Sequence, residues 1–251
     1  MTNWKHELKP WLPPALIRLY RRSRGDIRAD PPFHLPVRSL HELFPGSETA
    51  TACIPGVLAS RGDMWAVPAA ELLTLATLCA HQRPRRVFEF GTYTGESTLV
   101  MAQNTPDATR ITTIDLDPGG RDDYAQETGA KSFPQFTVGA AFHQQPAAAK
   151  IEQVYGDTRS FDYTSYRGQI DLVYVDADHT YDFVQADTAN ALAMLRPGGV
   201  IVWDDYIWTD AHPECAGVTR CVNELAVSRP IFQIAGTRFA VYLDKPTPVA
   251  T

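Results

Sequence analysis

The sequence has little cysteine. Cys53, Cys79, Cys215 and Cys221 are its four among 251 residues, and no two of them form a CxxC pair. That scarcity excludes a disulfide framework and fits a reduced, cytoplasmic setting. Long apolar runs are also missing: none approaches the roughly 18 residues that a membrane-spanning helix needs. The first twenty residues lack both an uninterrupted apolar core and a small-residue cleavage site. Neither a transmembrane helix nor a secretory signal is therefore expected. Internal repeats and low-complexity tracts are absent, which excludes collagen-like and wholly disordered chains. Positive charge is scarce outside one region. Lys and Arg number 23 against 29 Asp and Glu, a net −6. Residues 1–28 hold seven basic residues and two acids, a local +5 that leaves the remainder at −11. A body that acidic repels phosphate backbones, so nucleic acid is not expected as a partner.

What is present is enough apolar residue, 44% of the chain, to bury a core without disulfides. Trp4, Leu8, Leu12, Leu16 and Leu19 recur at helical spacing, but Pro10, Pro13 and Pro14 break a continuous helix, so a short amphipathic helix is expected over 14–24; residues 25–60 are rich in Pro, Gly and Ser. The first sixty residues read as an arm serving as a lid or an oligomer contact, followed by one folded domain over 61–251. The basic start of the arm is either a contact for a membrane surface or partner, or a solvated helix face. A helix is expected over 67–81. Beyond it, short β-branched or aromatic runs at 86–90, 110–115, 151–155, 170–176, 199–204, 231–235 and 238–243 alternate with helical segments at 96–103, 181–195 and 218–227. Such alternation predicts an α/β fold: a Rossmann-like, seven-stranded, mainly parallel sheet with helices on both faces. The last two runs, separated by Gly236-Thr237, predict a C-terminal antiparallel hairpin. Residues 118–150 form an unusually long connection, a length usually reserved for functional or mobile loops.

The segment from Val87 to Thr98 reads as a buried strand, a glycine turn and a helix start. Gly91 permits the tight turn and Gly95 the close packing where the helix begins. Asp115 ends the next strand, placed to take both hydroxyls of a ribose. Dinucleotide enzymes also set an acid after a glycine turn, but they want G-x-G-x-x-G facing a pyrophosphate. Here Tyr93 replaces the middle glycine and Glu89 precedes the turn. An acid there disfavours a pyrophosphate and suits a cationic ligand such as S-adenosylmethionine (SAM). An NAD-type oxidoreductase is the competing reading, and a strand-to-helix turn without any ligand is the third.

The segments Glu89-Phe-Gly-Thr-Tyr-Thr-Gly-Glu-Ser, Thr113-Ile-Asp-Leu-Asp, Tyr155-Gly-Asp, Val175-Asp-Ala-Asp-His-Thr-Tyr and Pro197-Gly-Gly-Val-Ile-Val-Trp-Asp-Asp resemble those of class I SAM-dependent methyltransferases. The nearest likeness is to O-methyltransferases of the catechol and caffeoyl-CoA type and to bacterial relatives acting on sugars and natural products. It covers about 64–243. The resemblance implies that Glu89 faces the methionine ammonium, Ser97 its carboxylate, Asp115 the ribose and Asp157 the adenine edge. It further implies that Tyr93 lines the methionine portion and that Trp65 closes the site. The opening Leu12-Pro-Pro-Ala-Leu-Ile-Arg-Leu-Tyr-Arg-Arg resembles N-termini of bacterial methyltransferases tied to surface polysaccharide, which points to a saccharide or other small-molecule acceptor. A homo-oligomer, a dimer or larger, is expected.

Ligands in open α/β sheets bind outside the carboxyl ends of strands. Asp176 ends one strand and Asp204-Asp205 the next, so the three can converge beside the SAM crevice. Clustered anions repel one another, and a hard divalent cation with oxygen ligands is the natural compensator. Matching positions hold Mg²⁺ in the catechol-type enzymes that the chain resembles. The alternative is that these acids only cap turns. A hydroxyl is a poor nucleophile until a base takes its proton, and the candidate bases are Asp178 and His179. The sequence leaves open which of the two acts, and whether the metal or His179 alone activates the acceptor.

Overall fold

Strands 5–6 residues long with no polar alternation arise where a parallel sheet is covered on both faces. In the computed structural model the described residues are 34–55, 66–117, 119–121, 136–209 and 212–244. Apart from His34 they belong to one compact unit that begins at Leu35. The helix expected over 14–24, the basic stretch 1–28, Trp65 and most of the 118–135 connection lie outside the described residues. No helix among the described residues is long and apolar enough to cross a membrane.

Among the described residues eight strands form one sheet: β1 (Val37–Arg38), β2 (Arg86–Phe90), β3 (Arg110–Asp115), β4 (Ile151–Tyr155), β5 (Ile170–Val175), β6 (Leu195–Trp203), β7 (Ile231–Ile234) and β8 (Ala240–Leu243). Their order is β1-β7-β8-β6-β5-β2-β3-β4. All neighbours are parallel except β8, which runs antiparallel to both β6 and β7. The seven expected strands and the terminal hairpin are present. The eighth, β1, is two residues pairing with Gln233 and Ile234 at the sheet edge, too short to leave a periodic signal. Leu35 and Phe44 are buried in the core, so part of the stretch expected as an arm over 1–60 packs with the sheet.

Alternate side chains of the strands feed two cores. Val87, Ile111, Leu172, Tyr174 and Val202 pack on one face against α1 (Ala69–Gln82) and α2 (Glu96–Gln103). Phe88, Phe90, Val173, Val175 and Trp203 pack on the other against α3 (Tyr181–Met194) and α4 (Ala216–Ala226). From β2 the chain winds outward through β3 and β4, then returns to β5 on the opposite side of β2. That reversal opens the crevice where ligands of such sheets bind. Phe90 ends β2 and accepts a hydrogen bond from the Asp176 N–H at 2.9 Å, tying the two loops that border the crevice.

One buried acid on α3 lacks an aligned hydrogen bond. Asp187 is fully buried, and neither carboxylate oxygen makes a hydrogen bond of good geometry. Burial pushes its pKa up to about 7, helped by the charges of Asp178 and Asp157 and only partly offset by the Thr158 hydroxyl. The folded state therefore holds this proton more tightly than the unfolded chain does. Its stabilising effect is complete below about pH 4 and is lost as pH rises to about 7. Asp187→Asn should stabilise the protein by about 1–3 kcal/mol at pH 8 and by nothing at pH 4. Denaturant melts of both proteins at the two pH values check this; equal differences at both would refute it.

Candidate active site

The turn after β2 is shaped by contacts that only glycine tolerates. Gly91 has φ +88, and a Cβ there would lie 2.0 Å from the Asp176 carbonyl oxygen. Gly95 has φ +84, and a Cβ there would meet the Phe142 ring at 2.6 Å. Between them Tyr93 adopts φ 48, a left-handed conformation that non-glycine residues rarely take. Asp115 holds the turn in place: its Oδ2 accepts the Thr92 N–H at 3.1 Å and the Tyr93 N–H at 2.7 Å. It stays partly exposed at the end of β3, beside the crevice. Burial raises its pKa, and those backbone donors draw it back. A roof that the sequence did not announce covers the turn. The Tyr93 ring packs at 4.4 Å on Phe136, over which the Arg121 guanidinium sits at 4.4 Å. Gly139 and Ala141 donate backbone hydrogen bonds to the Tyr93 and Thr94 carbonyls. Part of the long connection is thus ordered against the glycine turn.

Two of the residues expected to contact the cofactor are engaged by neighbouring side chains. Glu89 is fully buried, so it does not face an open crevice. Its Oε1 accepts the Ser97 hydroxyl at 2.6 Å and its Oε2 the Thr98 hydroxyl. Burial raises its pKa to about 7 against the pull of Ser97, Thr113 and Thr98. Glu89 and Ser97 therefore pin the first turn of α2 to β2 in this structure. Asp157 is engaged by Arg159, whose Nη2 approaches Oδ2 at 2.6 Å and lowers its pKa.

The acids at the ends of β5 and β6 lie together, as the sequence suggests, but two side-chain cations are already among them. His179 Nε2 is 3.0 Å from Asp205 Oδ2 and 3.7 Å from Asp176 Oδ1. Arg238 Nη1 is 2.6 Å from Asp205 Oδ1, and Nη2 is 3.9 Å from Asp204 Oδ1. The contacts of His179 Nε2 and Asp205 Oδ1 are ion pairs by distance, not aligned hydrogen bonds. Burial alone would lower the His179 pKa, but Asp176 and Asp205 outweigh it and raise it to about 10. Asp205 is depressed by His179 and Arg238 in spite of its burial. Asp204 goes the other way: burial, then Asp176, Asp205 and Glu71, drive it well above the usual carboxylate range. It is turned inward, accepting the Tyr174 hydroxyl at 2.9 Å on Oδ2 and the Asp205 N–H at 2.6 Å on Oδ1. The loop carrying these groups is close-packed, since a Cβ on Gly217 of α4 would lie 2.2 Å from the His179 carbonyl.

The expected divalent site does not fit this arrangement. Among the described residues, the three-donor groups close enough to share an ion are His179, Asp205, Cys215 and His212, Glu214, Cys215; neither includes Asp176 or Asp204. The oxygens of Asp204 and Asp205 are spent on Tyr174, a backbone N–H, His179 and Arg238, while a hard cation needs several free oxygens at once. Of the two candidate bases, His179 lies among the crevice acids. Asp178 turns back to accept the Thr180 N–H at 2.6 Å on Oδ1, just before α3. Glu71, Tyr174 and Arg238 went unrecognised in the sequence.

Residues 88–206 match the model of a family described as a methyltransferase domain. A caffeoyl-CoA O-methyltransferase from Stellaria longipes is 29% identical over 140 residues, 53% of this chain and 51% of that one. Tapetum-specific methyltransferase 1 from Arabidopsis thaliana is 27% identical over 171 residues, 67% and 65% of the two chains. The match thus spans about half to two thirds of these curated relatives. The O-methyltransferase TomG from Streptomyces achromogenes, solved in complex with SAM, shares the fold with a TM-score of 0.52 at 19% identity, covering 92% of this chain and 96% of that one.

Proposed function

We propose that the chain is a class I SAM-dependent methyltransferase that transfers the methyl group of SAM to a hydroxyl of a small-molecule or saccharide acceptor, a reading supported by the match to a methyltransferase-domain model and to plant O-methyltransferases. The observation that carries the reading is the glycine turn at the β2/β5 reversal, clamped from below by a half-open carboxylate, Asp115. That clamp leaves an acid at the strand end, suited to a ribose diol. SAM supplies a methyl group on a positively charged sulfur, open to in-line attack.

Each protein group then has a task. Asp115 orients the ribose, and the Tyr93–Phe136 pair shields the crevice from water. With Glu89 sealed below, Asp176 is the carboxylate left at the crevice for the ammonium, and its side chain is 20% exposed. His179, held by Asp205, takes the acceptor's proton as the acceptor oxygen displaces sulfur at the methyl carbon: the C–O bond forms, the methyl–sulfur bond breaks with its electron pair going to sulfur, and neutral S-adenosylhomocysteine leaves. No step is assigned to a divalent ion. A transfer screen with methyl-labelled SAM over sugars, glycolipid precursors and catechols tests the reading. Label in a hydroxyl-bearing acceptor supports it; label only in amines or thiols would overturn it.

A further inference from the structure

Arg238 sits in the turn between β7 and β8 and is fixed from behind. Glu71, 3% exposed in the first turn of α1, accepts the Arg238 backbone N–H at 2.8 Å on Oε1. The same carboxylate takes Nε at 3.1 Å and Nη2 at 3.2 Å. A guanidinium is a planar fork that cannot rotate its donors independently. Once Glu71 holds the Nε/Nη2 edge, Nη1 can point only one way, and it meets Asp205 Oδ1 at 2.6 Å. Asp205 has φ 57, in the left-handed region that Asp tolerates better than most residues. Its other oxygen lies on His179.

We infer that Arg238, clamped by Glu71, is the resident cation of the acceptor site and stands in for a divalent ion beside Asp204 and Asp205. Methyl transfer by this protein then needs no metal. The inference rests on the proposed methyl transfer, but its geometry does not. Arg238 touches no reacting atom: it is a positioning residue, fixing Asp205 and through it the His179 ring. A metal ion and this guanidinium exclude each other, since both need the same Asp205 oxygen and the same space between Asp204 and Asp205. Removing the guanidinium should therefore uncover a divalent site that the natural protein lacks, an effect that mere loss of packing would not produce.

The test is a Mn²⁺ titration followed by the electron paramagnetic resonance signal of the free ion, on wild type, Arg238→Gln and Glu71→Gln, with circular dichroism as the check on folding. SAM affinity is measured on the same samples, so loss of the methyl-transfer reading and loss of this inference are told apart. Wild type should leave the free Mn²⁺ signal undiminished at one equivalent, and its methyl transfer should survive EDTA. Arg238→Gln should bind Mn²⁺ at least about tenfold more tightly than wild type, with Glu71→Gln between the two. Uptake of one Mn²⁺ per wild-type chain, displaced by Mg²⁺, would overturn the inference. So would a folded Arg238→Gln protein that binds Mn²⁺ no better than wild type. Should that variant fail to fold, the wild-type titration decides alone.

Discussion

Gly91→Ala is expected to abolish SAM binding and to destabilise the fold by more than about 3 kcal/mol. The position combines a φ of +88 with a Cβ that would lie 2.0 Å from the Asp176 carbonyl oxygen and 2.9 Å from the Ala177 Cα. Those neighbours are backbone atoms that cannot rotate away. Relief requires the β2 turn and the β5 loop to separate, which undoes the bond between the Asp176 N–H and Phe90. Both walls of the crevice move together. Calorimetric titration with SAM and a denaturant melt check the two parts; a variant that binds SAM within a few-fold of wild type would show that the turn is not the binding element.

His179→Ala should lower kcat by about 10² to 10⁴, the range of a lost general base, and leave the SAM Kd within a few-fold. His179 also predicts a pH profile. Asp176 and Asp205, outweighing burial, hold the ring protonated up to about pH 10 in the free enzyme. The basic form then rises about tenfold per pH unit below that value, so kcat/KM should climb about a hundredfold from pH 7 to pH 9. The His179→Ala protein should lack this slope. A variant that keeps both wild-type kcat and the slope would move the proton transfer to another group. Asp178→Ala is the direct comparison, and a loss there of only about threefold would match its place as a cap on the Thr180 N–H.

Much of the fold was legible because it rests on local signals. The helix expected over 96–103 is α2, Glu96–Gln103, announced by Gly95 and closed by Asn104. Seven strands read correctly because each is a short run rich in β-branched or aromatic residues bounded by turn residues. Edge strand β1 escaped notice, since two residues carry no period. The glycine turn itself was legible from spacing: Gly91 and Gly95 both sit at positive φ, and Asp115 accepts backbone N–H groups of the turn between them. Glu89 was placed on the right strand, but strand position does not reveal that Ser97 and Thr98 close over its carboxylate. Asp157 has its partner, Arg159, two residues away, a pairing that the sequence could have suggested. Arg238 and Glu71 could not have been paired, being 167 positions apart and joined only by the return of the final hairpin beside α1. The expected metal rested on counting acids at strand ends and on the resemblance to catechol-type enzymes. The missing half of that count was a cation from a segment with no motif.

The acidic body of the chain now divides by role. Glu89 and Asp187 are sealed inside, Asp204 and Asp205 are balanced by Arg238 and His179, and Asp115 and Asp176 are the acids left bordering the crevice. Isothermal titration of SAM into the unaltered protein, with NAD as the comparison ligand, tests that division and the proposed activity most directly. Saturable binding of one SAM per chain, weakened at least about tenfold by Asp115→Ala and unmatched by NAD, is the predicted result. Absence of SAM binding to the unaltered protein, or tighter binding of NAD, would contradict it.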